Sequence, residues 1–169
     1  RWLKTARAER PDRVMTPEEQ LAQIQVAREL ELPAEADLLC RGILSGAEAA
    51  PAVVEACAVH AARRREAALV AKLALPRKGL DPQVMLGLQH LANRRFDEAA
   101  EALRVAAARA SASSNLLEVQ AEALVRTGRA RAALDPLRRA VAGSAQSVRS
   151  RLALARVLAR GGRGDEATR

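Results

Sequence analysis

Tyrosine is absent from this 169-residue chain, and phenylalanine and tryptophan occur once each. A compact single-core domain ordinarily fills its interior with rings, so their scarcity points to a core of small side chains on closely approaching helices. It also removes the stacking platforms on which single-stranded nucleic acid is held. Histidine and cysteine are nearly as scarce, with His60, His90, Cys40 and Cys57 only. His60 follows an alanine-rich apolar face and His90 takes a packing position, so both read as core or groove residues rather than bases. Neither Cys40 nor Cys57 has another Cys or a His at zinc-ligand spacing. They read as small buried hydrophobes in a reducing compartment, with a bond between adjacent helices left open. No catalytic residue, metal ligand or cofactor site follows from this inventory. No apolar window approaches the roughly 20 residues that span a bilayer.

What the chain has instead is alanine, at 39 positions, together with leucine, arginine and glutamate. These are the strong helix formers, and no segment reads as a strand, so the fold class is all-α. Gly161-Gly162-Arg163-Gly164 imitates an anion cradle, but without a preceding strand or a Lys-Ser/Thr it reads as a turn. Thr16-Pro17-Glu18-Glu19 is a start signal, with a capping hydroxyl, a proline where no N–H is needed and early carboxylates. Helices are expected at about 17–30, 34–44, 51–63, 64–75, 82–93, 97–110, 115–126, 130–142 and 147–160, with another opening near Asp165. Pro136, well inside one of them, removes a backbone donor and crowds the preceding turn, so a kink or a delayed start is expected there. The carboxylate pairs Glu18-Glu19 and Glu29-Glu31 lie at helix ends with no partner that would tune them for acid–base work.

The chain also repeats itself. Phe96-Asp97-Glu98-Ala99, Ala130-Arg131-Ala132-Ala133 and Gly164-Asp165-Glu166-Ala167 start at 96, 130 and 164, in two equal steps. A helical unit that recurs every 34 or so positions cannot bury its apolar face alone and must stack on neighbours. Small residues recur in register at Gly87, Ala99 and Ala106, at Ala121, Ala133 and Ala140, and at Ala155 and Ala167. Large ones recur at Leu86, Leu103, Leu124, Leu137, Leu154 and Leu158, with turn glycines at Gly128 and Gly162. From about residue 82 to 169 this pattern resembles tandem tetratricopeptide repeats. It departs from them at His90, Leu124 and Leu158, and at Ala130 and Gly164, where aromatic residues would be usual. The earlier hairpins, 16–79, keep the helix pairs but lose the period. There Arg65-Glu66-Ala67-Ala68 begins at 65, whereas one full step back from Asp97-Glu98-Ala99-Ala100 would begin at 63.

The resemblance implies a right-handed superhelical solenoid of about four to five antiparallel helix pairs, forming one domain over 16–169 behind a basic segment, 1–15. It further implies that the first helix of each pair lines a concave groove. That places Asn115, Glu118, Glu122, Val125 and Arg126 there, followed by Arg149, Leu152, Arg156, Ala159 and Arg160. Helical spacing agrees, because 149, 152, 156 and 160 share one face. The net charge of +8 is carried almost wholly by arginine. A row of guanidinium groups in a groove suits carboxylates or phosphates. Arg63-Arg64-Arg65 and Arg138-Arg139 read as solvated faces or turns.

Three function classes follow. The first is a non-catalytic scaffold that grips a protein or an acidic peptide, which the repeat pattern favours. The alternative is a nucleic-acid-binding helical-repeat protein, favoured by charge and disfavoured by interspersed acids and missing aromatics. The third is a structural or homo-oligomerising element of a membrane-anchored assembly. Trp2 among the basic residues of the head resembles a juxtamembrane flank, and a start at Arg1 with a stop just as Asp165-Glu166-Ala167 opens a helix reads as a piece of something longer. At fold level the chain loosely resembles the cytosolic repeat domain of a bacterial exopolysaccharide-export or secretion-system subunit, which implies a cytoplasmic location beside an inner membrane.

Overall fold

The computed structural model describes residues 15–45, 49–74, 79–109, 111–144 and 147–160, and of the side chains at 43–45 nothing is said. Every regular element among the described residues is a helix. They are α1 (Pro17–Glu29), α2 (Pro33–Ser45), α3 (Pro51–Arg63), α4 (Ala67–Leu73), α5 (Pro82–Ala92), α6 (Phe96–Ala107), α7 (Ser114–Arg126), a short 3-10 turn (Ala130–Ala133) running into α8 (Leu134–Gly143), and α9 (Val148–Arg160). The basic head with Trp2, the Gly161–Gly164 turn and the helix expected near Asp165 lie outside the described residues.

The start signals do what their chemistry predicts. At α1 the Glu19 N–H donates to Thr16 Oγ1 at 3.3 Å and the Thr16 N–H donates to Glu19 Oε2 at 3.0 Å, a complete capping box ahead of Pro17. Asp81 caps α5 through the Gln83 N–H at 2.8 Å, and Ser113 caps α7 through Leu116 at 3.1 Å. Pro136 delays its helix as expected. The chain first makes a 3-10 turn, and α8 begins only at Leu134, which puts the proline inside the first turn, where its missing donor costs nothing.

One local device recurs along the chain. Glu31, Arg65, Arg94 and Gly128 adopt left-handed backbone, with φ of 54°, 63°, 62° and 78°. At each, this residue's N–H reaches back to the carbonyl three positions earlier, and the next N–H to the carbonyl five earlier: Glu31 to Arg28 and Leu32 to Ala27, Arg65 to Ala62 and Glu66 to Ala61, Arg94 to Leu91 and Arg95 to His90, Gly128 to Val125 and Arg129 to Leu124. The step from Glu31 to Arg65 equals the step from Arg94 to Gly128, and both equal the step from Phe96 to Ala130 in the sequence repeat. The repeat spacing therefore returns in the first half, contrary to the irregularity expected there. Only the middle step, from Arg65 to Arg94, is shortened. It falls across α4, which is 7 residues long against 13 in α2 and 12 in α6. Counted from each turn, Ile24, Ala58, Gly87 and Ala121 are equivalent, as are Ala36, Val70, Ala99 and Ala133. All of these are buried.

Gly87 shows how tightly the paired helices cross. A methyl group there would lie 2.5 Å from Cγ of the fully buried Leu103. Of the leucines expected to fill the gaps between helices, Leu103, Leu124, Leu137 and Leu158 do so, whereas Leu86 is exposed. It stands on α5 immediately before the crossing glycine and turns outward.

Packing follows the chain and then closes on it. Each helix packs on the next, and α1, α3 and α5 also pack side by side. Past α5, α3 touches α7, and α7 in turn meets α9. One buried cluster runs through all of them from Ile24 to Leu158. The cysteines correct the expectation of free thiols: Cys40 on α2 and Cys57 on α3 form a disulfide, with Cα atoms 5.5 Å apart.

Candidate binding groove on α7 and α9

Residues 115, 118, 122 and 126 lie along one face of α7, and 149, 152, 156 and 160 along one face of α9. The packing of α7 and α9 brings the two faces together. Seven of these eight positions, Glu118, Glu122, Arg126, Arg149, Leu152, Arg156 and Arg160, line a half-open groove of about 650 Å³. Asn115 lies beyond the groove's inner end, in a neighbouring cavity of about 840 Å³. Glu29 and Glu118 border both spaces.

The wall between them is a buried ionic junction. Arg28, at the end of α1, donates through Nη1 to Asn115 Oδ1 and through Nη2 to Glu118 Oε2 at 3.4 Å. Arg63, at the end of α3, donates to the same Glu118 oxygen at 3.3 Å and through Nε to Glu122 Oε2 at 3.0 Å. The other Glu118 oxygen accepts from the Ser150 hydroxyl of α9 at 2.5 Å. Glu29 accepts from the Ser147 hydroxyl at 2.9 Å and from the Arg149 N–H at 3.2 Å, so the end of α1 holds the first turn of α9. Arg149 answers by donating through Nη2 to the Arg28 carbonyl at 3.0 Å. Burial, then the nearby positive charge of Arg63, lowers the Arg28 pKa to about 10, with Glu118 opposing the shift, so the side chain stays charged at neutral pH.

Several sequence expectations change here. Arg63 is no solvated cation but a bridge between two carboxylates. Arg139 donates to the Ala107 and Arg109 carbonyls, both at 2.6 Å, closing the end of α6. Arg149 belongs to the junction more than to an open basic face. His60 is buried, with Nε2 2.7 Å from Asp37 Oδ1, and His90 is half-buried.

Beyond the junction the groove is open and differently furnished. Leu152 is 47% exposed and Val148 66%. Arg126 lies 5.6 Å from the centre of the Phe96 ring. Neither Arg156 nor Arg160 has an acidic partner among the described residues. An apolar strip bordered by uncompensated guanidinium groups can take an acidic segment that also carries apolar side chains. Among the described residues no group of three His, Cys, Asp or Glu could hold a metal ion.

Reasoning from sequence missed Arg28, Glu29, Arg63, Ser147 and Ser150. The only available signal was the Ser147–Ser150 spacing, a capping pattern in which the Ser150 N–H donates to Ser147 Oγ at 3.2 Å. Comparison with known protein families and with curated proteins finds no match.

Proposed function

We propose that this chain is a non-catalytic interaction scaffold, a tetratricopeptide-like solenoid that binds an acidic, partly apolar segment of a partner protein between α7 and α9. The observation that carries this reading is the convergence of Leu152, Arg156 and Arg160 in one open groove, with neither arginine neutralised among the described residues. The equivalent turns and the small residues at the helix crossings support the repeat architecture. Arginine recognises carboxylates through paired donors, and an exposed leucine alongside adds apolar contact.

The test is fluorescence anisotropy with a short blocked peptide alternating leucine and glutamate. The wild type should bind it, and Arg156→Glu/Arg160→Glu should weaken binding by about tenfold or more. Equal affinity in the two proteins overturns the assignment of the groove. Retention of an oligonucleotide at physiological salt would instead support the nucleic-acid alternative.

By analogy of architecture alone, the scaffold belongs to a larger membrane-anchored bacterial assembly, such as an exopolysaccharide-export or secretion system. No helix among the described residues is long and apolar enough to cross a membrane. Disulfides persist in oxidising compartments, so the Cys40–Cys57 bond favours the non-cytosolic side of such an assembly over the cytosolic side expected from the sequence.

A further inference from the structure

The second cavity, on the other side of the ionic junction, has the opposite character. It is lined by Leu21 and Val26 of α1, by Leu30 just after it, and by Val84 and Met85 of α5. Val26 is 38% and Leu30 62% exposed. Four carboxylates, Glu29, Glu55, Asp81 and Glu118, and two guanidinium groups, Arg28 and Arg109, border the space.

Two of the four acids face a cation, and the other two are held by neutral donors. Glu118 is held by Arg28 and Arg63, Glu29 by Ser147 and the Arg149 N–H, and Asp81 by Arg109 at 2.5 Å. Glu55, on α3, accepts a hydrogen bond from the Ser113 hydroxyl at 2.5 Å and has no cation beside it among the described residues. Burial raises its pKa, the Ser113 bond opposes this, and the neighbouring Asp81 adds to it. At the nearby starts of α5 and α7, Asp81 and Ser113 each take one backbone donor, that of Gln83 and that of Leu116. The cavity thus offers an apolar wall and two acids without an ion-pair partner among the described residues, of which Glu55 accepts a single side-chain bond, in a protein whose net charge is +8.

We propose that this cavity docks a basic, partly apolar peptide segment, placing an arginine or lysine against Glu55 and aliphatic side chains along Leu21, Val26 and Leu30. An extended run of apolar surface down α1 suits a peptide better than an isolated small cation. The scaffold then presents two complementary sites, one for acidic and one for basic segments, divided by the Arg28–Glu118 wall. This site does not depend on the reading of the α7–α9 groove.

The probe is a short blocked peptide alternating leucine and arginine, titrated by anisotropy at low salt. The overall positive charge repels it, so saturable binding reports a local site. The wild type should bind it. Glu55→Gln, which keeps an acceptor for Ser113, should weaken binding about tenfold with an unchanged melting profile, while Arg156→Glu/Arg160→Glu should not weaken it. The proposal is overturned if the wild type fails to bind, if Glu55→Gln binds equally well, or if butylguanidine occupies the cavity as tightly as the peptide. Loss of the acidic peptide's binding alone would sink only the α7–α9 groove.

Discussion

Helices α3 and α9 are both 13 residues long and both open a hairpin position in the stack, yet they are embedded differently. In α3 nearly every position from Val53 to Ala62 is buried; in α9, only Ser150, Val157 and Leu158 are. The difference follows from place in the stack. Helix α3 packs against α1, α2, α4, α5 and α7, whereas α9 rests chiefly on α8. Apolar burial and a disulfide therefore hold α3, while α9 relies heavily on polar bonds reaching it from α1 and α7. A helix that keeps its apolar side chains exposed while being anchored through its backbone end is well suited to present a binding face.

Glu118 joins the two regimes, since it accepts from Arg63 of α3 and from Ser150 of α9. Replacing it breaks the comparison most severely. Glu118→Ala leaves Arg28 buried beside Arg63 without their shared carboxylate and should cost about 4 kcal/mol, measured as a lower urea midpoint. Next comes the bond that secures α2 to α3. Reducing Cys40–Cys57, or replacing both residues with alanine, should cost about 3 kcal/mol, as expected for a loop of this length. A reduced protein with an unchanged melting temperature would show that α3 is held by packing alone. The smallest effect sharpens the contrast. Glu29→Ala removes the acceptor for Ser147 and for the Arg149 N–H and should cost about 1 kcal/mol. Amide exchange should then accelerate in the first turn of α9 and stay slow in α3.

How much of this was visible in the sequence depends on the range of the interaction. Pro17 and its cap Thr16 act within one turn of helix, and the start they predicted, like those expected at 51 and 82, stands unmoved. Pro136 acted locally too. The first two turns escaped notice because Glu31 and Arg65 occupy positions where glycine would have advertised left-handed backbone, and because the shortened α4 shifts everything after it. The groove could be laid out on α7 and α9 only through the resemblance to tetratricopeptide repeats, with helical spacing in agreement. Its inner end could not, since Arg28 meets Glu118 from the far end of the chain. The pairing of Cys40 with Cys57 has the same origin: it requires α2 to lie against α3 in one particular register.

The turning back of α1 onto α7 and α9 changes how the molecule stores its stability. An open stack of helical repeats is governed by nearest-neighbour terms, so its ends can melt while its middle persists. Here the Arg28–Glu118 and Glu29–Arg149 contacts join α1 directly to α7 and α9, links that nearest-neighbour terms along the chain do not contain. Whatever displaces the first turn of α9 would therefore be felt at the end of α1 as well.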